Sequence, residues 1–183
     1  MSKSHKTLVV NLFGGPGSGK STSASHIFAN LKWEDIECEL VQEYAKDLVW
    51  EKRFKTFEDQ VYMFGKQHHR VFRLLGQVDV VITDSPLLLT PIYDGEKRET
   101  LKKLSFEEFD KNHNFNIFLR RKKKYNPKGR NQDEEGAKEK DRQIKALLEE
   151  NNVPFIEMDG TNKSVDVIVK TIKDKLKAIN EGK

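Results

Sequence analysis

Gly14-Gly15-Pro16-Gly17-Ser18-Gly19-Lys20-Ser21 sets a lysine and a hydroxyl at the end of a glycine-rich run. The spacing is G-x-x-x-x-G-K-[ST]. Glycines let backbone N–H groups converge on phosphate oxygens, and a following helix N-terminus adds positive potential. In that chemistry Lys20 reaches the β- and γ-phosphates of a nucleotide and Ser21 turns its hydroxyl to Mg2+. Gly15, Gly17, Ser18, Gly19 and Thr22 complete the expected cradle. An apolar run, Leu8–Phe13, enters the loop, and helix-compatible Ser21–Leu31 leaves it. Strand, loop and helix together give the context that the phosphate reading requires, and they disfavour an ordinary glycine turn with a chance lysine.

Moving a phosphoryl group needs more than a phosphate cradle. Mg2+ must be held, an acceptor must be aligned, and positive charge must meet the migrating group. Asp84 ends the apolar run Val78–Thr83, where a carboxylate would hold Mg2+ directly or through water. The competing reading is an Asx-type turn in Asp84-Ser85-Pro86. Ser85 stands where a hydrolytic ATPase would often carry a water-activating glutamate, which favours transfer to an acceptor. Glu43 follows an apolar segment in Val41-Gln42-Glu43-Tyr44-Ala45. It would accept the proton of an acceptor hydroxyl or bind a substrate sugar; otherwise it complements a helix dipole. Asp47 lies one turn further on. Gln60, Gln67 and His68 fall on a long helical stretch and are candidates to hydrogen-bond a base, together with Tyr93. The run Arg120-Arg121-Lys122-Lys123-Lys124-Tyr125-Asn126-Pro127-Lys128-Gly129-Arg130 supplies cations. Arg120, Arg121, Lys124 and Arg130 would close over the donor phosphates as a lid and exclude water. A solvated face or a polyanion patch are the alternatives.

Five apolar segments read as strands: Thr7–Phe13, Glu39–Gln42, Val78–Thr83, Asn116–Leu119 and Pro154–Met158. Helical patterns separate them, the longest at Thr56–Leu75, with others at Gln143–Glu150 and Val165–Ile179. Alternating strands and helices predict an α/β fold with a parallel sheet covered on both faces. Leu87–Arg98 reads as weakly structured. At 183 residues the chain fits one domain. Its formal net charge of +4 suits anionic partners. A single cysteine, Cys38, excludes an internal disulfide. No apolar run is long enough to span a membrane and no secretory leader is legible, so a cytoplasmic protein is expected. The histidines show no zinc-ligand spacing.

The loop Gly14–Ser21, the segment Glu43-Tyr44-Ala45-Lys46-Asp47, Val78–Pro86, and Phe118-Leu119-Arg120-Arg121 with its lid through Arg130 resemble the P-loop nucleotide and nucleoside kinases. The chain is most similar to small phage and bacterial kinase-like ATPases related to ribosylnicotinamide kinase domains. The resemblance implies a three-layer kinase fold, with a five-stranded parallel sheet flanked by helices and a basic lid over about 120–132. It implies ATP and Mg2+ as cofactors and a nucleoside- or nucleotide-like acceptor. By position it gives Glu43 the role of base and Asp84 that of assisting Mg2+ and substrate. It places Asp159-Gly160-Thr161 against adenine. Related deoxynucleoside kinases carry Glu-Arg-Ser after the third strand, whereas Asp84-Ser85-Pro86 lacks the arginine. Two other functions remain open from the sequence. One is a kinase of polynucleotide ends or of hydroxylated bases in DNA, for which Lys52–Lys55 and the lysine-rich tail supply charge. The other is a nucleotide-binding regulatory ATPase with no acceptor.

Overall fold

The computed structural model describes residues 6–122 and 133–181. Five strands, β1 (Leu8–Phe13), β2 (Cys38–Val41), β3 (Val80–Thr83), β4 (His113–Arg120) and β5 (Ile156–Asp159), form one parallel sheet in the order β2-β3-β1-β4-β5. The helices are α1 (Lys20–Trp33), α2 (Tyr44–Trp50), α3 (Phe54–Glu58), α4 (Gln60–Phe72), α5 (Thr90–Tyr93), α6 (Glu99–Asp110), α7 (Glu134–Glu150) and α8 (Asn162–Glu181). The expected α/β sheet with helices on both faces is the observed one.

Successive strand residues face opposite ways, so each central strand serves two cores. Leu8, Val10 and Leu12 of β1 join Ile82, Ile117 and Leu119 against α1 and α8. Ala24, Ile27 and Leu31 of α1 and Val165, Ile168 and Ile172 of α8 complete that layer. Phe13 and Phe118 point the other way, onto Phe109 of α6 and Ile144, Leu147 and Leu148 of α7. Val9, Val41 and Val81 pack on Val71 of α4. This burial on both faces is why β1 reads as a continuous apolar run.

Sequence and structure differ at identifiable places. β4 begins at His113 rather than Asn116, because polar residues are buried in the sheet there. The Asn11 amide donates to Asn114 (2.8 Å) and Asn116 (2.9 Å), so asparagines occupy positions where apolar residues were sought. The single helix expected over Thr56–Leu75 is two helices. Asp59 separates them and caps the second, accepting from the Tyr62 amide at 3.1 Å. α7 starts at Glu134, well before Gln143, and is capped by Asp133 through the Gly136 amide. Leu87–Arg98 is not merely irregular: Leu87–Leu89 is a buried 3-10 turn that leads into α5. α6, α2 and the short α5 were not anticipated. Phe109 belongs to the core, whereas Trp33 and Trp50 are exposed. Lys124 and Arg130 of the expected basic lid lie outside the described residues. Among the described residues, no helix is long and apolar enough to cross a membrane.

Candidate functional site

The C-terminal ends of β1, β2 and β3 open into one crevice, because all strands run the same way and their following segments leave at the same edge. β1 delivers the glycine loop. Gly14, Gly17 and Gly19 all have positive φ (135°, 79° and 102°), which side-chain-bearing residues rarely adopt. α1 starts at Lys20, and Ser23 N–H to the Gly19 carbonyl (2.8 Å) closes its first turn. The amides ahead of it have no intrahelical acceptor and face outward as anion donors. Ser18 contributes differently: its N–H is held by the Gly15 carbonyl at 3.2 Å and its side chain is buried beneath the loop.

Lys20 folds back over the loop, donating from Nζ to the carbonyls of Gly14 (2.6 Å) and Gly15 (3.1 Å). Burial lowers its pKa, opposed by the carboxylates of Glu43, Asp84 and Asp141. Those carbonyl contacts are ones that phosphate oxygens would replace. β3 delivers Asp84, which is 3% exposed and accepts the Glu43 N–H on Oδ1 at 2.9 Å. That bond ties the exits of β2 and β3 together. Burial raises the pKa of Glu43, Lys20 lowers it, and Asp84 raises it further. A carboxyl so placed is poised to take a proton rather than to remain inert.

Beyond the loop the crevice widens into a cavity of about 410 Å³. Lys20, Ser21 and Thr22 line its donor end, and Glu43 lies within it. Val49, Trp50, Phe57, Met63 and Leu89 give it an apolar and aromatic lining. Gln60 and Gln67 line this cavity from α4. Gln60 donates to the Phe57 carbonyl at 2.9 Å. Gln67 accepts the Tyr44 N–H at 3.1 Å, while its buried Nε2 has no partner among the described residues. Tyr93 lines the same cavity, and burial pushes its hydroxyl pKa up, with Glu43 and Asp141 adding to the effect.

Other candidates lie elsewhere. Asp47 pairs with Arg70 at 2.7 Å and does not line the cavity. His68 turns to α6, 3.2 Å from Glu108, and stacks between Phe64 and Phe72. Arg120 is half-exposed and bonds Asp159 at 2.8 Å. Arg121 is directed to the Pro16 carbonyl (2.7 Å) and Asp141 (2.9 Å). Gly160 sits against the loop: a methyl group there would collide with the Ser18 carbonyl, so only glycine permits this approach. With Gly19, Thr22, His26 and Thr161 it edges a small second groove on the α1 side. Asp141 escaped sequence reasoning altogether, because a lone acid inside a charged helix carries no motif. Phe57 and Met63 line the cavity without any motif to mark them in the sequence.

The donor set suits Mg2+: a serine hydroxyl and carboxylates are hard oxygens, as that ion requires. Parallel sheet, glycine loop, helix N-terminus, lysine and strand-end aspartate define a P-loop NTPase. Residues 9–164 match the AAA domain family, and the chain belongs to it. A stretch of 94 residues is 29% identical to Protein RecA of Wolbachia sp. subsp. Drosophila simulans (strain wRi), covering 47% of this chain and 26% of that protein. The chain thus spans about a quarter of that relative's length.

Proposed function

We propose that this P-loop NTPase is a phosphotransferase that moves the γ-phosphoryl group of ATP to a hydroxyl or phosphate of a nucleoside- or nucleotide-like acceptor. The resemblance to nucleoside kinases, and to ribosylnicotinamide kinase domains in particular, supports this reading. One observation carries it. Hydrolysis needs room for a water, yet the space beside Lys20 and Ser21 is a cavity of about 410 Å³ with an apolar and aromatic lining. That volume falls within the size class of small-molecule sites, ~300–1,000 Å³.

Gly15, Gly17, Gly19 and Thr22 surround the donor phosphates, with Ser18 shaping the loop from below. Gly160 borders the base. Lys20 leaves the loop carbonyls and neutralises charge on the β- and γ-oxygens. Ser21 and Asp84 would hold Mg2+, which would supply charge neutralisation and alignment of the phosphates. For a hydroxyl acceptor, Glu43 takes the proton as the acceptor oxygen bonds to the γ-phosphorus and the bond to the β–γ bridging oxygen breaks, releasing ADP. Gln60 and Gln67 orient the acceptor ring between Phe57 and Leu89. Arg120 and Arg121, at the exit of β4, would supply positive charge to the donor phosphates.

The test is transfer of labelled γ-phosphate, with Mg2+, to nucleosides, nicotinamide riboside, nucleoside monophosphates and oligonucleotides. A labelled small molecule is the expected product. A labelled oligonucleotide instead moves the acceptor to nucleic acid. Free phosphate alone, with every acceptor unlabelled, overturns transfer in favour of a regulatory ATPase.

A further inference from the structure

Asp141 lies on α7, far in sequence from the loop, yet its carboxylate meets the loop directly. Oδ1 accepts the Gly15 N–H at 2.5 Å, and Oδ2 accepts from Arg121 at 2.9 Å. Arg121 in turn donates to the Pro16 carbonyl at 2.7 Å and reaches the Ala137 carbonyl at 3.5 Å. Three parts of the chain are buckled at one point: the first turn of the glycine loop, the exit of β4 and the middle of α7. The packing there is tight. A Cβ on Gly15 would stand 2.6 Å from the Ala137 carbonyl and 2.9 Å from Asp141 Oδ1. The G-x-x-x-x-G-K-[ST] pattern does not demand glycine at this position. The approach of α7 does.

We infer that Asp141 is a positioning residue for the donor nucleotide: it holds Arg121 and the Gly15–Pro16 turn in one arrangement and so couples α7 to phosphate binding. The argument runs through charge and geometry. A guanidinium beside the loop can serve phosphate only if its orientation is fixed, and a carboxylate that accepts two charge-assisted or backbone bonds fixes it. Both side chains are largely buried, with exposures of 11% for Arg121 and 20% for Asp141, so solvent competes weakly for their bond. The inference rests on the proposed binding of ATP at the loop.

The experiment is a double-mutant cycle on the full chain, with MgATP affinity read by calorimetry and folding read by melting temperature. Asp141→Asn keeps an oxygen for the Gly15 N–H and removes the charge that faces Arg121; Arg121→Ala removes the guanidinium. Each single variant is expected to weaken MgATP about tenfold, and the double variant to be no weaker than either single, because the two side chains act as one unit. A structural role alone would lower the melting temperature and leave affinity unchanged, which overturns the inference. Losses that multiply in the double variant also overturn it. If the unaltered protein fails to bind MgATP, the nucleotide reading and this inference fall together. Binding that is intact and indifferent to both substitutions removes only this inference.

Discussion

The two ends of the crevice are built on different plans. The donor end is one uninterrupted stretch, Gly14–Thr22, in which backbone amides and helix geometry supply much of the binding. The proposed acceptor end is assembled from separate elements: Glu43 after β2, Phe57 in α3, Gln60 and Gln67 in α4, and Tyr93 in α5. A backbone site demands glycine at fixed intervals and so writes itself into sequence as a motif. A side-chain site requires only that scattered residues arrive at one wall, and any helix-compatible spacing serves. The difference explains why phosphate chemistry is shared so widely by this fold while the second substrate is not.

Perturbing the donor end should cost most. Lys20→Ala removes the lysine proposed to meet the γ-phosphate, and transfer should fall by about 10²–10³ or more. Its circular dichroism should stay native, since the Nζ contacts are to loop carbonyls outside the core. Steady-state transfer assays on the folded variant check this. A turnover near that of the parent would remove Lys20 from the reaction.

Perturbing the acceptor end should act on one substrate only. Gln67→Glu preserves an oxygen for the Tyr44 N–H but replaces the unpartnered Nε2 donor with an acceptor. The acceptor KM should rise about tenfold, the scale of one lost buried hydrogen bond, with the KM for ATP nearly unchanged. A matching rise in both would show that the two ends are not separable.

The smallest effect is on stability. Burial raises the pKa of Glu43 in the folded chain, so the native state binds this proton more tightly than the unfolded state does. Stability from this group is therefore complete below the ordinary carboxylate pKa and is lost as pH rises through the elevated one. Glu43→Gln should melt slightly higher than the parent at neutral pH, and the gain should vanish in acid. Thermal melts across that pH range test the sign. The same raised pKa predicts that transfer declines on acidification earlier than an ordinary carboxylate would cause.

Much of the fold is legible because the central strands β1 and β3 are buried on both faces and so read as apolar runs. β4 was clipped because Asn114 and Asn116 are satisfied by Asn11, a pairing visible only once β1 and β4 are adjacent. α4 was merged with α3 because Asp59 is both an ordinary polar residue and a helix cap. At the candidate site, Lys20 and Ser21 stand out through the glycine-loop motif, and Glu43 and Asp84 through their place after apolar segments that form β2 and β3. Asp47 was not distinguishable from Glu43 by spacing, yet Arg70 draws it away from the cavity. His68 shares a helix with Gln67 but faces α6, because one residue along a helix is a turn of about 100°. Asp141 depends on a tertiary approach of α7 that no local pattern encodes.

The most direct test of two separable ends is Glu43→Gln, with γ-phosphate transfer and MgATP affinity measured side by side on the same preparation. The account predicts transfer reduced by about 10²–10⁴, the usual contribution of a general base, with the MgATP dissociation constant changed by no more than about twofold. Equal losses of transfer and of MgATP affinity would contradict it and place Glu43 among the groups that hold the donor.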